Sequence, residues 1–413
     1  MPHTPQGDLD DAIASRAEEL AELLSTTVRI PSVTGSERAI ADWYAEWMIR
    51  HGWELELQPL DGTVFASGEE TVGDRANLIG YPFGRPGPGT PVLVLNGHID
   101  VVPTGREELW ATVPFSGARA GGRVFGRGTV DMKGGIAAAL IALDTLRNSE
   151  VVLPMVPVIH LVIGEETTGV GTRLALATER APDAAIILEP TNNTIITACT
   201  GLQFFRVTAR GRAAHSSAPW RGVDALARLL VLRDALIQTA ARRSAAFAHP
   251  RFADVPTGIP FTIGMLEAGT YRAAVPDVAT LTGRIGLRPG EDPDHARAEF
   301  AAALRAAVVA DPFETEMPHE LEWQGEPYPG WDTEENESLV VALRDALVMA
   351  QGSPEFGGFT AGNDAGQYAQ AGAVTIVFGP GDAALAHTVE ESISEADVLL
   401  ATRTIVQTLV SLS

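Results

Sequence analysis

The sequence predicts an α/β protein of two domains, one discontinuous with a mostly parallel central sheet and helices on both faces, the other an inserted ferredoxin-like α+β domain. Short apolar runs bounded by Gly and Pro alternate with amphipathic stretches, as in strand–helix units of a parallel sheet. Between residues 201 and 324 the pattern becomes strand, helix, strand, strand, helix, strand, which is the ferredoxin-like plan. At 413 residues the chain is also too long for a single core.

The first half of the chain supplies most of the predicted sheet. We predict an amphipathic helix over residues 9–29, and a second helix with Ser36 as its cap and Gly52 as its stop. Strands are predicted in WELELQPL, ANLIGYP, PVLVLNG, VPVIHLVIG and AAIILEP, and further helices in GGIAAALIALDTLRN and GVGTRLALATER. After the insertion a helix near 337–351, the strand AVTIVFG and a last helix from Ser394 resume the pattern. The domains are therefore placed at 1–200 with 325–413, and at 201–324.

Composition limits the function classes. The net charge of −23 argues against nucleic acid or an anionic membrane as a partner. The chain has a single cysteine, Cys199, so no intrachain disulfide can form, which favours a reducing compartment. The N-terminal residues are acidic and contain no apolar signal core, and no apolar run is long enough to span a membrane. We expect a cytoplasmic protein.

Five candidate metal ligands recur along the chain, and four of them stand at or just beyond the end of an apolar run. Ligand sites in such sheets form beyond the carboxyl ends of the strands. Two histidines and three carboxylates there suit a pair of divalent metal ions. The five residues are His98, Asp131, Glu166, Glu189 and His387.

Two short motifs suggest a division of roles. In the His98-x-Asp100 motif, His98 can bind a metal while the carboxylate of Asp100 orients the histidine. In Glu165-Glu166 one carboxylate can be a ligand and the other a general base, because adjacent side chains diverge. Each signal taken alone also fits a structural role: Asp131 could be a helix cap, the glutamate pair a solvated turn, and His387 a structural histidine.

The order GHIDVVP, GRGTVDMKGG, GEETTG, LEPT and AHTVEE resembles the co-catalytic zinc peptidases and deacylases, the family of acetylornithine deacetylase, succinyl-diaminopimelate desuccinylase, aminoacylase and glutamate carboxypeptidase. The resemblance implies that His98, Asp131 and Glu189 hold one zinc ion, and that Asp131, Glu166 and His387 hold the other. It also implies Glu165 as general base, Asp100 as the residue that orients His98, and a cis peptide bond between Asp131 and Met132. Cobalt or manganese are alternative metals.

In the inserted domain, GRAAHSSAPW resembles the family segment whose histidine polarises the scissile carbonyl. This implies that His215 acts there, reaching into the partner subunit's site of a homodimer formed through this lid domain. The sequence departs from the family where a carboxylate-binding Arg is usual, since that position is Gly286. Arg284 and Arg288, two residues to either side, are candidate replacements. Gly362 and Asn363, in a Gly-Asn-Asp stretch, are further substrate-binding candidates.

Together these features predict a metal-dependent hydrolase that cleaves a small-molecule amide, the acyl bond of an N-acyl amino acid or a related compound. A metal-bridging water would be deprotonated by Glu165 and would attack the carbonyl. A dipeptidase or carboxypeptidase using the same site is the alternative. A third hypothesis, an inactive metal-binding scaffold, requires a lost ligand or base, and the sequence retains them all.

Overall fold

The computed structural model describes residues 5–60, 74–351 and 354–412 of the chain. They form two compact units. The first comprises Met1–Thr197, Thr333–Gly357 and Asn363–Ser413, and the second Ala198–Asp332 and Gly358–Gly362. The sequence places the boundaries at 200/201 and 324/325, so residues 198–200, residues 325–332 and the short segment 358–362 belong to the second unit and not to the first. The segment belongs there because Gly362 packs against Leu202 and Tyr328 of that unit.

Except for the short α9, whose first residues lie in a Gly-rich stretch predicted to be a loop, the helices lie in stretches predicted to be helical. They are α1 (Pro5–Ser15), α2 (Ala17–Val28), α3 (Arg38–Arg50), α4 (Gly134–Arg147), α5 (Val170–Thr178), α6 (Ala225–Ala245), α7 (Pro293–Ala307), α8 (Ser338–Gln351), α9 (Ala365–Gln370) and α10 (Glu395–Ser411). Within the described residues, no helix has both the length and the apolar character needed to cross a membrane.

The strands include all the predicted ones and several short ones that the sequence does not signal. They are β1 (Glu54–Pro59), β2 (Ala76–Tyr81), β3 (Val92–His98), β4 (Ala118–Ala120), β5 (Arg123–Phe125), β6 (Val156–Val162), β7 (Ala184–Ile187), β8 (Ile195–Cys199), β9 (Gly201–Arg210), β10 (Thr262–Ala268), β11 (Val278–Leu287), β12 (Glu320–Tyr328), β13 (Trp331–Asp332), β14 (Phe356–Phe359), β15 (Val374–Val377) and β16 (Ser392–Ser394).

The central sheet confirms the predicted α/β class. Its strand order is β1-β2-β6-β3-β7-β15-β8, and β6, β3, β7 and β15 run parallel to their neighbours in this group. Antiparallel strands flank the parallel group on both sides. The parallel strands are buried along nearly their whole length, as strands covered on both faces are. Their carboxyl ends therefore meet at one edge of the sheet.

Helices cover both faces of this sheet. Helix α4 lies so close to β3 that a Cβ atom on Gly97 would be 2.6 Å from Cγ1 of Ile136. The opposite face holds polar contacts with α5 and α9: Asn77 donates to the carbonyl of Gly171, and the hydroxyl of Tyr368 donates to Asn96. A small sheet, β16-β5-β4, stands apart from the central one.

The second unit has the predicted ferredoxin-like topology. Its antiparallel strands are ordered β10-β11-β9-β12, and α6 and α7 follow β9 and β11 in the chain. Alternate residues of β9 and β11 form a core with both helices, with Phe205, Leu281 and Phe300 fully buried. The other face of this sheet carries Phe204, Arg206 and Arg284.

Two local predictions are wrong. The helix predicted over residues 9–29 is divided at Arg16, whose side chain turns to pair with Asp144 and Glu19. The cap predicted at Ser36 is also wrong, because α3 begins at Arg38 and Glu37 occupies the cap position. Glu37 instead accepts the Gly35 N–H and forms a buried ion pair with Arg75.

Candidate metal centre

All five predicted ligands lie together beyond one edge of the central sheet. His98 is the last residue of β3, and Asp131 stands in the loop before α4. Glu165 and Glu166 follow β6, Glu189 follows β7, and His387 follows β15. Since β3, β6, β7 and β15 are parallel, their carboxyl ends place these side chains side by side.

Asp131 stands between the two histidines. Its Oδ1 lies 2.9 Å from Nε2 of His98, and its Oδ2 lies 3.2 Å from Nε2 of His387. Asp131 is not a helix cap, because Lys133 precedes the first residue of α4. The peptide bond between Asp131 and Met132 is cis, as the resemblance implies. The two oxygens of one carboxylate thus face two different histidines.

One group contains His98, Glu165 and Glu189, whose candidate ligand atoms lie within 4.8 Å of one another. The other contains His98, Asp131 and Glu166 at the same mutual spacing. His387 joins this second group, with Nε2 3.1 Å from Oε2 of Glu166. The arrangement brings together every ligand that the sequence predicts.

The electrostatics of these groups favour a cation. Burial, together with the charge of neighbouring Glu189, raises the pKa of Glu165 well above its usual range. Burial and the charge of Asp131 do the same to the pKa of Glu189. The pKa of His98 would be lowered by burial alone, but the hydrogen bond to Asp131 and the charge of Glu189 raise it above its usual value. Hydrogen bonds to Asp131 and Glu166 raise the pKa of His387 to about 10. Crowded carboxylates with two imidazoles form the oxygen and nitrogen donor set that divalent metals take, so these residues fit metal ions.

Asp100 contacts both His98 and the Glu165-Glu166 pair. Nδ1 of His98 donates to its backbone carbonyl at 2.9 Å, while its carboxylate is 3.7 Å from that nitrogen. The carboxylate instead accepts the backbone N–H groups of Glu165 and Glu166 at 3.2 and 3.3 Å, and the hydroxyl of Thr34 at 2.8 Å. Burial raises the pKa of Asp100 to about 6. Asp100 is thus placed to fix the tautomer of His98 and the position of the glutamate pair.

Sequence reasoning missed Asp364. Its side chain is buried, and its Oδ2 accepts a hydrogen bond from Asn96 at 3.1 Å. Burial raises its pKa, and its charge in turn raises the pKa of Glu165 and Glu189. The only local signal is its place at the end of the Gly-Asn-Asp stretch. Asn363, predicted to bind substrate, is buried and accepts the N–H of Ala365 at the start of α9.

His215 lies on an exposed loop of the second unit. The backbone N–H of Ser217 donates to its Nδ1 at 3.1 Å, and Ser217 Oγ lies 2.8 Å from the same nitrogen. Because Nδ1 accepts, the ring hydrogen is on Nε2 in the neutral form. The imidazole therefore presents an Nε2–H donor that has no partner among the residues described.

Arg284 and Arg288, the candidate substrate-binding arginines, flank Gly286, a position with no space for a side chain. A Cβ atom on Gly286 would lie 2.4 Å from Cγ2 of Ile259 and 2.7 Å from the carbonyl oxygen of Pro260, so no larger side chain fits there. Arg284 donates to the carbonyl of Thr360 at 3.1 Å, and no carboxylate pairs with it among the described residues. Its Nε is buried and has no hydrogen-bond partner in the described part of the chain, and burial lowers its pKa. Arg288 donates its backbone N–H to Glu291. Gly362 lies in the same unit, at the end of the segment that contains Thr360.

Comparison with known proteins is consistent with this geometry. Residues 94–411 match the model of the peptidase family M20/M25/M40. A probable carboxypeptidase of Aspergillus terreus is 32% identical over 317 residues, which are 74% of this chain and 68% of that protein. N-formyl-4-amino-5-aminomethyl-2-methylpyrimidine deformylase of Halalkalibacterium halodurans is 27% identical over 94% of this chain and 93% of its own. The solved structure of a di-peptidase from Saccharomyces cerevisiae superposes with a TM-score of 0.76 at 15% identity, covering 98% of each chain.

Proposed function

The chain belongs to the M20/M25/M40 peptidase family and is a hydrolase of amide bonds, and we propose that it removes the acyl group from an N-acyl amino acid or a related small amide. One observation carries the proposal. The two oxygens of Asp131 face His98 and His387 separately. The buried Glu165 and Glu189 lie beside His98, and the partly buried Glu166 lies beside His387.

The proposed centre holds two divalent cations, with zinc as the expected metal and cobalt or manganese as alternatives. His98, Asp131 and Glu189 would hold one, and Asp131, Glu166 and His387 the other. When bound, such cations act as Lewis acids that polarise the amide carbonyl and lower the pKa of a water molecule to about 7.

Glu165 is the proposed general base. It is buried within reach of His98 and Glu189 and is held by its backbone to Asp100. Its carboxylate takes a proton from the attacking water as the new bond from oxygen to the carbonyl carbon forms. The same proton then passes from Glu165 to the nitrogen as the carbon–nitrogen bond breaks. The products are a carboxylate and an amine.

His215 is the proposed oxyanion donor. Its Nε2–H is free because Ser217 occupies Nδ1, and a positioned N–H stabilises the negative charge that develops on the carbonyl oxygen. We propose that it acts in the partner subunit's site of a homodimer.

The edge strand β10 supports this dimer. Among the described strands, β10 pairs only with β11, so its other edge presents unpaired backbone groups. The strand also exposes apolar side chains, with Met265 at 59% and Leu266 at 45% exposure. We further propose a reducing, cytoplasmic setting, which rests on the single buried cysteine, Cys199.

A peptidase activity is the second candidate, favoured by the 32% identity to a probable carboxypeptidase. It uses the same ligands and base. The two candidates differ in the group on the carbonyl side of the scissile bond, which is a simple acyl group for the deacylase and an aminoacyl or peptidyl group for the peptidase. The amine that leaves is an amino acid in both cases, and Arg284, a half-buried cation without a carboxylate partner among the described residues, favours a substrate with such an anionic group.

The test is amine release by metal-replete protein from N-acetyl, N-succinyl and N-formyl amino acids and from dipeptides. Turnover of acyl amino acids that a chelator abolishes supports the deacylase. Turnover of dipeptides alone supports the peptidase. No turnover of any of these compounds would refute both and would direct the search to amides outside amino-acid metabolism.

A further inference from the structure

Glu391 is a buried carboxylate four residues beyond His387, and it lies beneath the loop that carries Asp131. Its side chain is fully enclosed, with 1% of the residue exposed. Its Oε1 accepts the backbone N–H groups of Gly128 at 2.9 Å and Val130 at 3.0 Å, with that of Asp131 at 3.4 Å. One carboxylate oxygen thus gathers the backbone on which the proposed bridging ligand stands.

Its other oxygen pairs with Arg127, which is equally buried. The guanidinium of Arg127 also donates to the carbonyl of Thr388 at 3.2 Å and to that of Pro103 at 3.3 Å. Its Cζ lies 5.1 Å from the ring centre of Trp110. The Arg127–Glu391 pair therefore joins three loops, those that follow β3, precede α4 and follow β15.

Each of these loops is next to a proposed ligand. Pro103 follows His98 by five residues, Arg127 precedes Asp131 by four, and Thr388 adjoins His387. His387 has a φ of 63°, in the left-handed region that non-glycine residues rarely adopt. Such a conformation persists only where the surroundings hold it. The hydrogen bond from Arg127 to Thr388 is in the right place to hold it.

A contribution to the stability of the fold does not explain the buried Arg127–Glu391 pair. A buried ion pair contributes little net stability, because the loss of hydration offsets the attraction between the charges. A carboxylate that binds consecutive backbone N–H groups does fix the geometry of a loop. Outer residues that orient metal ligands typically change metal affinity when they are replaced.

We propose that Glu391 is a positioning residue of the metal centre: with Arg127 it fixes Asp131 relative to His387 and so sets the affinity for the cation that these two residues share. The inference rests on the proposed metal centre. It concerns the backbone that holds the ligands and not the reaction itself.

The test compares Glu391→Gln with Asp144→Asn in the full-length protein. Asp144 is a matched control, because it is also buried and pairs with Arg16 at 2.9 Å, yet it contacts none of the proposed ligands. Metal is removed with a chelator, and the melting temperature of each metal-free protein is measured. Each protein is then titrated with Zn²⁺ and with Co²⁺, and the number of equivalents bound, their affinities and their release rates are determined.

We expect Glu391→Gln to bind one equivalent like the wild type and the second about 10- to 100-fold more weakly. Asp144→Asn should bind both equivalents with wild-type affinity. In the metal-free state, the melting temperatures of the two variants should be lowered by similar amounts. Should Glu391→Gln fail to fold, Arg127→Gln keeps the acceptor for Gly128 and Val130, and it should still weaken the second equivalent.

Normal binding of both equivalents by a folded Glu391 or Arg127 variant would overturn the inference and leave the proposed function intact. Equal weakening in Asp144→Asn would overturn it as well, because the effect would then be a general one. A wild-type protein that binds no divalent cation would overturn the proposed metal centre, and this inference with it.

Discussion

The backbone N–H of Glu165 donates to Oδ1 of Asp100 at 3.2 Å. The proposed base is thereby connected to the same residue whose backbone carbonyl accepts from Nδ1 of His98. Glu166, a proposed ligand, donates its own N–H to the other carboxylate oxygen of Asp100 at 3.3 Å. One buried aspartate therefore contacts a proposed ligand at the end of β3 and both the proposed base and a second proposed ligand in the loop after β6.

Replacing Asp100 with Asn should lower kcat about 10- to 100-fold, the usual effect of removing a residue that orients metal ligands. The amide nitrogen cannot accept the N–H of Glu166 or Glu165, so one of these donors loses its partner. Steady-state kinetics with saturating metal measures the effect, and Thr34→Val, which removes only the hydroxyl bound to Asp100, is the milder control. Wild-type kcat in Asp100→Asn would contradict the role.

Glu165 and Glu166 should differ in what they lose on replacement with Gln. A positioned general base contributes about 10²- to 10⁴-fold to the rate, so Glu165→Gln should lose that factor in kcat and retain its metal. Glu166→Gln removes a proposed ligand beside His387, so its main defect should be the loss of bound metal. Metal analysis alongside kinetics separates the two effects. Full activity in Glu165→Gln would refute the mechanism, and equal metal loss in both variants would refute the division of roles.

The strands that build the centre could be predicted because each is an uninterrupted buried run. Every residue of β3 and β7 is buried, and the candidate ligands His98 and Glu189 follow directly from where those runs end. The short strands β4, β5 and β16 could not be predicted, since three residues carry no periodicity.

Residues that act through long-range pairing were missed for a related reason. Glu391 bonds to residues more than 250 positions earlier in the chain, and Asp364 bonds to Asn96. Neither pairing leaves a trace in local spacing, and an acidic residue beside a loop is ordinarily exposed. The helix break at Arg16 has the same origin, because its partner Asp144 lies on α4.

His160 should make the stability of the protein depend on pH. It is buried on β6, with Nδ1 2.8 Å from the hydroxyl of Tyr368, and burial lowers its pKa to about 3. In the unfolded chain a histidine takes up a proton near pH 6.5. Between these two values only the unfolded state binds the proton, so the stability contribution is complete above pH 6.5 and is lost as the pH falls towards 3.

The free energy of unfolding of the wild type should therefore fall by up to about 1.4 kcal/mol per pH unit from this residue between pH 6 and 4. Urea unfolding of wild type and His160→Gln, both with a chelator present, isolates the contribution, because Gln can keep a hydrogen bond to Tyr368 and does not titrate. The variant should lose less stability than the wild type over this range. Parallel curves for the two proteins would show that His160 is not kept neutral.

Arg284 should distinguish anionic from neutral substrates. It is a half-buried cation whose Nε has no partner among the described residues, and the neighbouring strand position, Gly286, is closed by Ile259 and cannot supply a replacement. A charge-assisted hydrogen bond is worth about 1.5–3 kcal/mol, so Arg284→Gln should raise KM about 10- to 100-fold for an N-acyl amino acid and leave the matching N-acyl amine unchanged. Arg288→Gln, one residue beyond the end of β11, is the control for loss of a positive charge near this strand, and Arg284→Lys should recover part of the affinity. An equal rise in KM for the charged and the neutral substrate would mean that Arg284 only holds the segment at Thr360, to which it donates at 3.1 Å, and does not bind the substrate.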